Sequence, residues 1–285
     1  MMTRTLKRLS LPVLTIIAFA LTACQGTPGL STEDAGAETH NPYLDGSVET
    51  MVLNGYEVEV EVFEDDLVVL EGDMILGTRD ELTKLSTQGI TIDRECTWIF
   101  CHDFRWPGGV VPFKLNSNLT RTQRDRIFSA INHWERNTQI DFQPKQWYHG
   151  DYVEFRRGSG CSSHVGRQGG RQVINLSTSC GRGAVIHEMG HAVGLFHEHT
   201  RCDRNNFVTV NFANIQDGEE NNFFRHCSDA TDRGTYDFGS IMHYGAFAFS
   251  ANGLPTISCR RFPCPAFGQR SGLSTGDIQT VNNFY

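Results

Sequence analysis

Apolar and polar residues repeat with different periods in different parts of the chain. Over residues 51–76, apolar positions alternate with acidic ones, a two-residue period that predicts β-strands with one charged face. Thr120 and Gln123 have the spacing of a helix capping box. Apolar residues then recur at helical spacing, at Ile127, Ala130, Ile131 and Trp134. The pattern predicts strands first and then a capped amphipathic helix.

Shorter elements are predicted further along the chain. Strands are expected at Tyr152–Phe155 and Gln172–Leu176, and a helix is expected over 184–194. Ser274 and Asp277 form a second capping pattern, which predicts a final helix. Helices and strands are therefore both expected.

The first 24 residues have the pattern of an export signal. Three basic residues precede an apolar run, Leu9–Leu21, which is shorter than the roughly 20 residues needed to span a bilayer. The run ends in Leu-Thr-Ala-Cys, which resembles the lipobox of bacterial lipoproteins and predicts acylation of Cys24. An ordinary signal peptide with a chance cysteine is the alternative. We expect an exported protein, lipid-anchored to the cell envelope or secreted, that meets a membrane only through this lipid.

Composition changes again after the signal. Residues 25–46 are rich in Gly, Ser, Thr and acidic residues and predict a flexible tether. Residues 25–94 hold 16 acidic and 3 basic residues, whereas 95–285 hold 17 acidic and 19 basic ones. The net charge of −8 argues against a nucleic-acid partner and belongs to the segment before residue 95.

The strongest chemical signal is a cluster of histidines. His187 and His191 are four residues apart, so in a helix they project from one face and can share a Zn²⁺ ion. Gly194 permits a sharp turn that returns His197 to the same metal. Glu188 reaches instead a water molecule at the metal, as a general base. The pattern predicts one catalytic zinc ion held by three histidines.

A second motif, Ser-Ile-Met-His-Tyr-Gly, occupies 240–245. With HExxHxxGxxHE over 187–198, it resembles the astacin family of metzincin peptidases. The resemblance implies that Met242 lies as an apolar floor beneath the zinc. It also implies that Tyr244 is a releasable fifth ligand that supports the oxyanion, and that Glu198 pairs through water with the mature N-terminus.

The resemblance extends over about residues 106–285 and implies an α+β, zincin-like fold. A twisted, mostly antiparallel sheet and the active-site helix are expected, with the zinc cleft between two lobes. The implied activity is hydrolysis of peptide bonds in proteins and peptides, by a monomer. The alternative is an inactive, zinc-stabilised adhesin or binding protein, and the presence of Glu188 counts against it.

Residues 47–94 resemble the inhibitory propeptide of that family, which makes 95–285 the expected catalytic domain. Leu-Glu-Gly-Asp at 70–73 resembles the family element whose Asp binds the zinc. By this resemblance Asp73 is the zymogen switch, because a carboxylate is a suitable zinc ligand.

Activation requires a protease that cuts between the two parts. Cleavage is expected between about residues 90 and 105, with Arg94 as a site of trypsin type and Lys84 and Arg105 as alternatives. A zinc-binding thiolate from Cys96 or Cys101 is the competing switch.

Lipidation of Cys24 would leave eight of the nine cysteines to pair. The resemblance implies a disulfide between Cys161 and Cys180, with Gln172–Leu176 as the edge strand to which a substrate adds antiparallel. Other connectivities stay open for the remaining six. Local pairing would give Cys96–Cys101, Cys202–Cys227 and Cys259–Cys264.

Overall fold

The computed structural model of the chain describes residues 47–53, 56–63, 66–87, 105–227 and 230–285. Several predicted features lie outside the described residues: the signal peptide with Cys24, the tether, Arg94, Cys96 and Cys101. Within the described ranges, none of the helices has the length and apolar character that crossing a bilayer requires.

A sheet of nine strands forms the frame of the described part. The acidic segment supplies β1 (Ser47–Leu53), β2 (Tyr56–Val62), β3 (Leu67–Leu70) and β4 (Met74–Thr78). The rest of the chain supplies β5 (Val110–Leu115), β6 (Asp141–Pro144), β7 (Tyr152–Arg157), β8 (Cys161–His164) and β9 (Arg171–Leu176). Their spatial order is β1-β2-β3-β4-β8-β9-β7-β5-β6. Strands β1–β4 and strands β5–β9 therefore share one sheet.

Pairing is antiparallel from β1 to β4 and between β8 and β9. It is parallel between β4 and β8 and along β9, β7, β5 and β6. A separate antiparallel pair joins β10 (Val208–Val210) to β11 (Ile257–Cys259).

The helices are α1 (Arg79–Thr87), α2 (Arg121–Asn137), α3 (Arg182–Ala192) and α4 (Thr275–Phe284). The two predicted capping boxes are confirmed. At the start of α2, Thr120 Oγ1 accepts from the Gln123 amide at 3.2 Å, and Gln123 Oε1 accepts from the Thr120 amide at 2.9 Å. Ser274 and Asp277 make the same pair of bonds at the start of α4.

Two apolar clusters lie on either side of the region where α3 ends. The larger cluster is formed mainly by α2, α3 and β5–β9, and Trp134 joins the two helices by donating from Nε1 to the Ile186 carbonyl at 3.1 Å. The other cluster surrounds β10 and β11 and includes Phe223 and Tyr244. The predicted α+β class is confirmed, and the histidine motif lies where the two parts meet.

The predicted edge strand is wrong. Gln172–Leu176 belongs to β9, which lies inside the sheet between β7 and β8. Its apolar run reflects burial on both faces. The strands at the two ends of the β5–β9 group are β8 and β6, and β8 is the one beside β4. Its central residues Ser162 and Ser163 are fully buried but carry no apolar signal.

The predicted charged face of the acidic strands is also only partly correct. Glu59 is exposed, but Glu61 is 3% exposed. Asn221 lies against β2 and donates from Nδ2 to the Glu59 carbonyl at 2.9 Å. Part of the charged face is therefore covered by the C-terminal half of the chain.

Candidate metal centre

Three imidazoles meet at the end of α3. His187 and His191 lie on successive turns of the helix, and their Nε2 atoms are 3.2 Å apart. Gly194 then adopts φ +103°, in the left-handed region that favours glycine, and the chain turns back. This turn brings His197 Nε2 to 3.3 Å from His187 Nε2. The helix and the turn thus assemble the predicted triad.

The fourth group comes from the turn between β3 and β4. Asp73 Oδ2 lies 3.2 Å from His187 Nε2 and 3.3 Å from His197 Nε2, and Oδ1 lies 3.4 Å from His191 Nε2. Tetrahedral zinc with bonds of about 2.0–2.1 Å separates its donor atoms by about 3.3–3.4 Å. The four side chains therefore fit one Zn²⁺ ion, and they form the one metal-compatible cluster of this kind among the described residues.

Each imidazole is oriented through its other nitrogen. His187 Nδ1 donates to the Ile241 carbonyl and His191 Nδ1 to the Leu195 carbonyl, both at 2.8 Å. A carbonyl oxygen only accepts, so these bonds leave each Nε2 lone pair directed at the metal position. For His197 the acceptor is a carboxylate, Glu71 Oε2, at 2.6 Å.

Burial and neighbouring charges both act on the protonation of the site. Burial, and after it the Arg270 charge, lowers the pKa of His187 to about 3, which favours the neutral imidazole that binds metals. Burial, followed by the neighbouring Asp73 carboxylate, raises the pKa of Glu188 well above its ordinary value, against the opposing charge of Arg270. Glu188 is 2% exposed, beside the triad on α3.

The motif at 240–245 lies directly beneath α3. Met242 is 2% exposed, and a Cβ added at Gly190 would lie 2.7 Å from its sulfur. Gly190, which no pattern in the sequence singled out, therefore allows the close approach of the methionine to the helix. Asp277 of α4 holds the turn by accepting from Ser240 Oγ at 2.6 Å and from the Ile241 amide at 2.9 Å.

Tyr244 and Glu198 lie close to the triad with other partners. The Tyr244 hydroxyl donates to the Glu71 carbonyl, and its ring centroid is 4.6 Å from that of His197. Glu198 Oε1 accepts from the Asp237 amide at 2.7 Å, beside a cavity of about 960 Å³. Burial raises the pKa of Glu198 to about 8.

Three disulfides join cysteines among the described residues. The bond between Cys161 and Cys180 ties β8 to the loop before α3. Two others join Cys202 to Cys227 and Cys259 to Cys264, each by local pairing.

A zinc-compatible triad on a helix and a glycine turn, above a buried methionine, defines a zinc metallopeptidase of the metzincin class. The family model that describes the astacin peptidases matches residues 101–285. The chain therefore belongs to the astacin family, whose members are metalloendopeptidases with one catalytic zinc ion.

Two relatives and one solved structure show the extent of the similarity. Protein SpAN of Strongylocentrotus purpuratus is 35% identical over 291 residues, which are 96% of this chain and 47% of that protein. Blastula protease 10 of Paracentrotus lividus is 41% identical over 192 residues, 64% of this chain and 32% of that protein. The chain thus spans less than half the length of these two relatives. High choriolytic enzyme 1 of Oryzias latipes, a hatching enzyme zinc-protease, is 32% identical with a TM-score of 0.58, and the match covers 67% of this chain and 94% of that one.

Proposed function

We propose that the chain is a zinc-dependent endopeptidase made as a latent precursor, in which Asp73 blocks the metal. The observation that supports this most directly is the position of the Asp73 carboxylate, 3.2–3.4 Å from the Nε2 atoms of all three histidines. A donor placed there takes the position that a water molecule needs for hydrolysis. Family membership supports the peptidase activity. The contacts that residues 47–94, the proposed prosegment, make at the site support the latency.

In the active enzyme, His187, His191 and His197 would hold the ion. When bound, zinc supplies Lewis acidity to the scissile carbonyl and to water. Glu188 takes the proton from the water and passes it to the leaving amine. Tyr244 loses its Glu71 acceptor when the prosegment leaves, and its hydroxyl is then available to donate to the oxyanion.

The substrate would use the sheet edge that the prosegment covers. Strand β4 runs parallel to β8, with Met74 opposite Ser163 and Ile75 opposite His164. A substrate strand that adds antiparallel, as in the family, would run in the opposite direction. The prosegment therefore occupies the cleft without presenting a bond in the productive orientation.

The remaining steps are also proposals. An activating protease would cut between about residues 90 and 105, and the prosegment would leave. Export would follow from the N-terminal signal, with lipid at Cys24 as the anchor. Residues 1–24, 25–46, 47–94 and 95–285 would then be the signal, tether, propeptide and catalytic domain.

The first test compares zinc content and activity. In the chain from residue 25 onwards, we expect about one bound zinc, and casein cleavage only after limited trypsin treatment. Phenanthroline should abolish cleavage. Glu188→Gln should keep the zinc and lose about 10²-fold or more of the rate, because the general base is gone. Chelator-insensitive cleavage, or full activity of the variant, contradicts the mechanism. Bound zinc without any cleavage would favour the binding-protein alternative.

The second test addresses the switch in a chain that trypsin-like enzymes cannot activate, carrying Lys84→Gln, Arg94→Gln and Arg105→Gln. Asp73→Ala in this background should raise peptide hydrolysis at least about tenfold, since it removes the blocking carboxylate. A variant as inert as its parent would rule out Asp73 as the switch. Activity that appears instead on Cys96→Ser or Cys101→Ser would identify a thiolate switch.

A further inference from the structure

Glu71 is a second prosegment carboxylate at the site, and it lies deeper than Asp73. Its side chain is 1% exposed, compared with 16% for Asp73. Oε2 accepts from His197 Nδ1 at 2.6 Å, and Oε1 accepts from His226 Nε2. The two oxygens thus have separate imidazole partners, both supplied by the catalytic part of the chain.

Burial of this carboxylate is favourable only because of these partners. A carboxylate removed from water is strongly destabilised unless it is paired and hydrogen-bonded. Bonds to an ionised acceptor are about twice as strong as neutral ones. The turn of residues 71–73, the prosegment tip, can therefore be buried in the cleft because imidazole groups donate hydrogen bonds to Glu71.

The backbone of the tip directs both carboxylates to the same place. Glu71 and Gly72 adopt φ +51° and +71°, and these two left-handed residues begin the three-residue turn that joins β3 to β4. The left-handed conformation at Glu71 is unfavourable for a residue with a side chain, so tertiary contacts must hold it. The turn is held by bonds from Tyr244 to the Glu71 carbonyl and from the Ser163 amide to the Asp73 carbonyl, the second at 2.9 Å.

His226 is positioned by contacts that do not involve the prosegment. Its amide donates to the Thr200 carbonyl at 2.9 Å, and the adjacent Cys227 is bonded to Cys202. Its ring packs 5.5 Å from the Phe196 ring. The proposed peptidase chemistry gives this buried imidazole no role. Its bond to Glu71 points to a role in the precursor.

We propose that Glu71 and His226 form a second latch of the precursor, which positions Asp73 in the metal site. This inference rests on the proposed function, because the latch acts through the Asp73 switch. Both residues are positioning residues. Glu71 leaves with the prosegment, and with it His197 loses the acceptor at Nδ1, whereas His187 and His191 keep their main-chain acceptors.

The test uses the full chain with the three trypsin-type sites replaced, and it measures basal peptide hydrolysis and zinc content. Glu71→Gln and His226→Phe should each raise basal hydrolysis about tenfold or more, because each removes a charge-assisted bond that holds the tip in place. The fold-increase in basal hydrolysis of the double variant should be far below the product of the two single increases, because both substitutions remove the same interaction. His226→Gln, which keeps a donor near the Nε2 position, should restore part of the latency. Glu59→Gln is the matched control, because Glu59 is an exposed prosegment carboxylate.

Controls separate the latch from general damage and from failure of the switch itself. The same variants with native cleavage sites, fully activated by trypsin, should match the parent in kcat and KM within about twofold. Basal activity that stays at the Glu59→Gln level, while Asp73→Ala is active, overturns the latch and leaves the switch in place. If Asp73→Ala is also inert, the switch and the latch both fail. If Glu71→Gln and His226→Phe also lose activity after activation, the two residues have a general structural role, and the proposal is overturned.

Discussion

Gly72 lies in the turn between β3 and β4, against the ring of Phe249. A Cβ added there would lie 2.9 Å from Phe249 Cζ, and the residue has φ +71°. Gly253 has nearly the same φ, +74°, but a Cβ there would meet nothing within 4 Å. Alanine substitutions at Gly72 and Gly253 therefore separate the effect of backbone strain from the effect of steric contact.

We expect Gly72→Ala to weaken docking of the prosegment. The left-handed conformation costs an alanine about 1 kcal/mol at either position, and the Phe249 contact adds to this cost only at Gly72. In the uncleavable chain, basal hydrolysis should rise for Gly72→Ala and stay unchanged for Gly253→Ala. Thermal denaturation of both variants checks the shared strain. An equal effect of the two substitutions on hydrolysis would show that the contact does not matter.

Among the strands, β8 pairs with β4 beside the metal site, and the sequence pattern did not predict it. Its polar Ser162 and Ser163 carry no strand signal, and the edge that we inferred from the family resemblance, β9, is an internal strand. Alternation reports how many faces of a strand are buried, but it does not report the neighbours along the sheet. Helices α2 and α4 were predictable because a capping box and a 3.6-residue period are local properties.

Prosegment release should expose the edge of β8. The Ser163 amide donates to the Asp73 carbonyl in the precursor, so hydrogen exchange over residues 161–165 should accelerate by about tenfold or more after activation. Strand β9, paired on both sides by β7 and β8, is the internal control and should not change. Unchanged exchange at 161–165 would mean that β4 stays on the sheet or that this edge remains covered.

Across the whole molecule, the strands of residues 47–78, which we propose to be the prosegment, belong to the same sheet as the later strands. The proposed prosegment extends the catalytic sheet by four strands and contributes an apolar cluster of its own, which includes Leu70, Met74 and Leu82. Val165 and Phe196 of the catalytic part pack against this cluster. Under the proposed function, these backbone, apolar and carboxylate contacts hold the prosegment in place.

From the sequence alone we predicted the three histidines that meet in the structure, because they lie within one helix and one glycine turn. The family resemblance added the short motif at 240–245. The same local information identified Asp73 through its resemblance to a family element. Tertiary packing, which no local pattern reports, sets which strand lies beside β4 and lets Gly190 admit Met242. It alone also brought Glu71 to His226, 155 residues away. Strand order and burial set such contacts, and neither leaves a periodic trace in the residues that meet.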